Sequence, residues 1–210
     1  MVLDSKAVAA MLLGAAERLE ENADRLSEID SRFGDGDHGI TMRKIARLIK
    51  EQIPQWGERS VRTFLDDLGM AVMEVKGGSA GPLYGALIGG LGVKLAADEN
   101  TPDTDAVRSM FAGALEELED LTTAKVGDKT MMDALIPAVE AAQQADGDAA
   151  AVLTAAAEAA EAGAKASERF VSKFGRARSY KEQTIGTPDA GAVSTALFIR
   201  GMAQGFADRQ

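Results

Sequence analysis

Asp30, Asp35 and Asp37 bring three carboxylates into the glycine-rich run Asp30-Ser31-Arg32-Phe33-Gly34-Asp35-Gly36-Asp37-His38-Gly39. Carboxylates at that density repel one another unless a hard cation neutralises them. The spacing is not that of an EF-hand: counted from Asp35, Ile40 stands at the position that requires Gly, and Ala46 at the position that requires Glu. Gly34, Gly36 and Gly39 satisfy G-x-G-x-x-G, but a dinucleotide loop follows a buried strand, and here a polar helical segment precedes it. Asp35 and Asp37 would also face the pyrophosphate. An acidic loop accepts phosphate only through a bridging metal, so Mg2+–phosphate chemistry is expected, with Asp30, Asp35 and Asp37 as ligands. The plainer alternative is a solvated turn, and the clustering of three acids weighs against it.

Three further loops carry more than turn chemistry. Gly77-Gly78-Ser79-Ala80-Gly81-Pro82 precedes a helix that Ser79 is expected to cap and Pro82 to initiate. Its glycines admit a ligand to free N–H groups at the positive end of the helix dipole. No G-x-x-x-x-G-K-[ST] exists in the chain, so this is not a Walker A loop. Gly127-Asp128-Lys129-Thr130 reads as a helix start with Asp128 or Thr130 as cap. Gly175-Arg176-Ala177-Arg178-Ser179-Tyr180 sets two guanidinium groups, well shaped for phosphate, in a non-helical segment. Thr187-Pro188-Asp189-Ala190-Gly191 then opens the last helix, with Asp189 as cap. His38 is the only histidine. It either orients a phosphate or makes a local backbone bond, and without a partner histidine or a reactive serine a hydrolytic triad has little support.

The elements between these loops are helical. Apolar residues recur every three or four positions at Val8, Met11, Leu12, Ala15, Leu19 and Leu26, predicting one helix from Asp4. Further helices are expected from Gly39 to about Gln52, from Ser60 through Val75, after Pro82, from Asp103 or Thr104, from near Thr130, from Asp148 to Phe174, and from near Asp189. The Ala-rich run within the seventh reads as a closely packed helix. No segment alternates with period two, so an all-α fold of about eight helices in one domain spanning 1–210 is expected. If helices alternate up and down, the loops after the first, third, fifth and seventh share one end. Those are the four loops above, which argues for a single site at one rim of a bundle.

Composition narrows the function classes. The chain has 210 residues, 46% of them hydrophobic, enough for a sizeable core. Aromatics at 5% argue against a β-sandwich built on cross-strand aromatic pairs. A formal net charge of −10 makes nucleic acid and anionic membrane poor partners. With no cysteine, disulfides, thiolate metal sites and cysteine nucleophiles are excluded. The N-terminus carries an acid where a signal peptide has basic charge, so a cytoplasmic protein is expected.

Together GDGDHG, GGSAGPLYG, GDKTMMDAL, GRARSY and the closing Thr-Pro-Asp-Ala-Gly-Ala resemble the nucleotide-binding L subunit of dihydroxyacetone kinase over nearly the whole chain. The resemblance implies a closed barrel of eight antiparallel helices. It implies paired Mg2+ ions on Asp30, Asp35 and Asp37, bridging the phosphates of ADP or ATP. It also implies nucleotide contacts at His38, Gly39, Thr41, Gly78, Ser79, Ala80, Met131, Arg176, Asp189 and Gly191, with Arg176 catalytic beside the triad. The chain has Thr41 where Asn is common in the family, Ala80 where a second Ser is frequent, Asp-Ala-Gly for Asp-Pro-Gly, and Arg178 for Ser. The implied activity is phosphoryl transfer to dihydroxyacetone or a related short ketose held by a separate K subunit. ADP would then be a coenzyme rephosphorylated by a phosphohistidine carrier of the sugar phosphotransferase system. The alternatives are an ATP-consuming tetrulose (erythrulose-type) kinase and a non-catalytic regulatory subunit that binds a transcription factor; the intact triad argues against the second.

Overall fold

The computed structural model of the chain describes residues 3–95 and 103–209. Met1 and Val2, the start of the segment inspected for a signal peptide, lie outside them. Nine α-helices form among the described residues: α1 (Ser5–Glu21), α2 (Ala23–Ser31), α3 (His38–Gln52), α4 (Val61–Met73), α5 (Ala80–Val93), α6 (Asp103–Leu121), α7 (Met132–Gln144), α8 (Ala149–Ala166) and α9 (Ala190–Asp208). The described residues contain no strand, as the missing period-two pattern predicts.

The helices pack in a ring. Helix α1 lies between α9 and α3, and the order continues from α9 through α8, α7, α6 and α5 to α4; α3 then reaches α4 and α5 to close it. Buried side chains from all nine helices meet in one core, where Tyr84, Phe64, Phe111, Phe198 and Phe206 are the largest. Each such ring contributes roughly 1.5–3 kcal/mol by leaving water. Small residues let the helices close up. A Cβ on Gly69 of α4 would fall 2.7 Å from the Gly89 Cα of α5. In the Ala-rich α8, Ala156, Ala157, Ala160 and Ala164 are buried. Helices α1 and α9 run antiparallel, and at their shared end Arg209 approaches Asp4 with N···O 3.7 Å.

Two boundaries differ from the sequence expectation. The first predicted helix breaks at Asn22, whose side-chain amide and backbone N–H both take the Arg18 carbonyl and so end α1. Asn competes with the backbone in this way wherever its short side chain can reach a nearby carbonyl. The seventh helix stops at Ala166 instead of Phe174, turns through a 3₁₀ segment at Ser167–Arg169, and leaves Phe170 extended. The Ser167 carbonyl accepts the Phe170 N–H at 3.1 Å and also Lys129 Nζ at 2.6 Å.

Candidate nucleotide and metal site

The four loops converge. Segments within 29–38, 77–84, 121–132 and 172–191 line one cavity of about 640 Å³ at a single end of the ring. The rods therefore alternate up and down, with α1 and α2 together acting as the first.

Helix α2 carries Asp30 in its last turn, and the Asp30 carbonyl takes the N–H of Phe33 at 3.2 Å and of Gly34 at 2.7 Å, turning the chain sharply. Gly34 is required there, since a Cβ would collide with the Asp30 carboxylate. Gly36 follows at φ +75°, a left-handed turn that returns Asp37 to the same spot. Asp37 precedes α3, yet its carboxylate makes no capping bond and stays free. One oxygen each from Asp30, Asp35 and Asp37 lie within 4.8 Å of one another. The guanidinium of Arg176 contacts the Asp35 carboxylate. An all-carboxylate donor set of this kind suits a hard divalent cation.

The other walls correct several expectations. Ser79 adopts helical angles and makes no side-chain cap, so α5 begins at Ala80 and Pro82 falls in its first turn rather than at its first position. The start of α7 is organised by neither Asp128 nor Thr130 alone. The fully buried Asp133 accepts the N–H of Gly127 at 2.6 Å and of Thr130 at 2.7 Å, while Thr130 Oγ1 takes Met132 N–H at 3.2 Å. Asp128 is occupied instead with Lys173. Residues Arg176–Thr184 form a kinked 3₁₀ segment and not an irregular loop. Arg176 faces the cavity; Arg178 is exposed and does not line it. Asp189 caps α9 as expected, accepting from Ala192 N–H at 2.8 Å.

A model of the DAK2 domain matches residues 32–204. The chain belongs to the DAK2 domain family. It is 32% identical to the ADP-binding subunit DhaL of the PEP-dependent dihydroxyacetone kinase 1 of Listeria innocua, over 90% of each chain. It is 36% identical to a D-erythrulose kinase of Mycolicibacterium smegmatis over 95% of its own length, but spans only 35% of that relative. Among solved structures, the dihydroxyacetone kinase of C. freundii in complex with AMP-PNP and Mg2+ is similar at TM-score 0.69 and 26% identity, covering 94% of this chain and 33% of that one. This DAK2 domain thus spans about a third of the longer kinases and nearly all of the separate subunits.

Of the expected contacts in this DAK2 domain, His38, Gly78, Ser79, Ala80, Met131, Arg176, Asp189 and Gly191 line the cavity. Gly39 and Thr41 do not; they stand behind its wall. Gly39 packs against the Ala23 carbonyl, and Thr41 is buried against Gly77. His38 makes a backbone bond, to Ala190, which is distant in sequence rather than local. Its Nε2 lies 2.8 Å from Ser194 Oγ, joining the start of α3 to α9, and burial lowers its pKa against the opposing pull of Asp30.

Lys129, Asp133 and Tyr84 carry no local sequence signal as site residues, yet all three sit in or beside the cavity wall. Lys129 sits at φ +61°, is 4% exposed, and donates to the carbonyls of Ser167 at 2.6 Å and Thr187 at 2.5 Å. It clamps three walls together. Tyr84, buried beside Ser194 and Thr195, has its phenol pushed up to about 12 by burial and stays protonated.

Burial raises the Asp189 carboxyl to about 7, with Asp133 adding to the rise and Lys129 opposing it. Between its ordinary 3.8 and about 7, the folded state holds a proton that the unfolded chain has released. Stability therefore falls as pH climbs through that window and levels off above it. Asp189→Asn keeps the capping oxygen and removes the titration. Denaturant unfolding at pH 5 and pH 8 is expected to show the wild type losing on the order of 2 kcal/mol relative to the variant. Parallel profiles for the two proteins would remove Asp189 as the titrating group.

Proposed function

We propose that this DAK2 domain presents a Mg2+-bound nucleotide for phosphoryl transfer to dihydroxyacetone or a related short ketose. The observation that carries the reading is the polarity of one cavity. Asp30, Asp35, Asp37 and Arg176 gather together in the cavity, whose wall also includes the apolar side chains of Leu83, Met131, Met132 and Phe174. Such a wall suits a purine ring, and the acids suit cations that in turn hold phosphates. Three carboxylates facing a polyphosphate call for more positive charge than one divalent ion supplies, which supports a pair of Mg2+ ions. Bound there, the metal would neutralise charge on the transferring phosphoryl group.

The chain's own residues supply the rest. Arg176 offers planar donors to a phosphate, and the start of α5, which has no side-chain cap, lies in the cavity lining at Ser79 and Ala80. The Lys129 clamp keeps Asp189 and Gly191 in the wall. ADP as a retained coenzyme, rephosphorylated by a phosphohistidine carrier, is the favoured donor scheme, in keeping with relatives whose names describe ADP-binding subunits. The ketose would be held by a separate K subunit. Leu121, which lines the cavity, and Val126, Tyr180 and Ile185, in segments that also contribute cavity residues, are exposed apolar side chains suited to a docked protein. An erythrulose-type acceptor is the second reading, favoured by the similarity to D-erythrulose and L-erythrulose kinases.

Calorimetric titration tests the nucleotide half directly. ADP is expected to bind saturably with Mg2+ present and far more weakly with a chelator. An absence of heat under both conditions would refute the proposal.

A further inference from the structure

Arg176 opens the 3₁₀ segment directly after Gly175, which adopts φ +60° with open space around it. Among the described residues it is the cationic side chain that pairs with the acidic triad, through Asp35. Both partners meet solvent, with side-chain exposures of 66% for Arg176 and 41% for Asp35. A metal held by the triad and the guanidinium of Arg176 therefore compete for the same carboxylate. We propose that Arg176 determines specificity for the metal–nucleotide complex over the bare divalent ion. It occupies Asp35 against a naked cation and yields that carboxylate to a ligand that brings a phosphate for the guanidinium to hold.

The magnitudes permit the exchange. An exposed ion pair is worth little, so the pair weakens bare-metal binding by only about threefold to fivefold. A guanidinium on phosphate makes shorter, charge-assisted and often bidentate bonds, which favours the exchanged state once the nucleotide arrives. Movement of the side chain disturbs no core packing, since it springs from an exposed segment bounded by left-handed residues at Gly175 and Lys181. The inference rests on the proposed role of the triad as the metal site.

Its test is a pair of affinities that shift in opposite directions. Free Mn2+ is followed by electron paramagnetic resonance with and without ADP, in wild type, Arg176→Gln, Arg176→Lys and Asp35→Asn. In Arg176→Gln, Mn2+ alone is expected to bind about threefold to fivefold tighter, while ADP in the presence of Mn2+ binds about tenfold weaker. Arg176→Lys keeps the charge and is expected to hold bare-metal affinity near wild type. A merely structural arginine would weaken both. Unchanged or weaker Mn2+ binding in Arg176→Gln, with Asp35→Asn still losing metal, overturns the inference and leaves the metal site standing. Metal binding indifferent to Asp35→Asn removes the metal site itself, and this inference with it.

Discussion

Asp35→Asn and Asp37→Asn are each expected to weaken Mg2+-dependent ADP binding by at least about tenfold, because each exchanges a charged metal ligand for a neutral one of the same size. The fold should hardly notice. The Asp37 carboxylate makes no capping bond to α3, and Asp35 is exposed beside Arg176. Surface substitutions without such supporting bonds change stability by about half a kcal/mol or less. Affinity and stability thus separate: calorimetry should show the loss while thermal melting stays near wild type. Wild-type affinity in both variants would take the metal away from this loop.

Turnover by the isolated chain is expected to be undetectable, and this is the larger effect. Phosphoryl transfer needs donor and acceptor in line at near-attack distance, and proximity alone accounts for several orders of magnitude in rate. In the proposed function the cavity's groups serve the nucleotide side: the triad, Arg176, the start of α5 and the Asp189 turn. Nothing comparable is left to trap a ketose. The chain has no cysteine, and its one histidine is fastened to Ser194 at the foot of α9. Adding the cognate K subunit, with a phosphohistidine carrier if ADP is a coenzyme, should produce dihydroxyacetone phosphate or a tetrulose phosphate. Product formed by the chain alone would require an acceptor site within it and would end the proposed division of labour.

Helical periodicity and the even alternation of rods made the four-loop rim readable before any coordinates. Local signals also marked Asp189 as a cap, because a cap needs only its own few residues. What escaped was whatever depends on distant partners. Lys129 looks like turn filler until Ser167 and Thr187 arrive from elsewhere in the chain. Asp133 looks like an ordinary first-turn acid, yet it is wholly buried and organises the loop before its helix. Gly39 and Thr41 stand behind the cavity wall, packed against Ala23 and Gly77, and the buried Thr41 hydroxyl has no hydrogen-bond partner among the described residues. The break at Asn22 was hidden because apolar spacing runs straight through it.

The antiparallel seating of α1 against α9 has a practical bearing on protein engineering. Positions 4 and 209 meet at the closed end, and the 19 residues of α9 separate them from the mouth by about 28 Å. A label or affinity handle attached at either position therefore leaves the mouth of the cavity clear. A fusion meant to deliver a ketose-holding module to that entrance needs a tether of roughly nine or more extended residues. A shorter tether would more readily serve the entrance of a neighbouring molecule, so tether length should decide whether such a fusion works as a monomer or only in pairs.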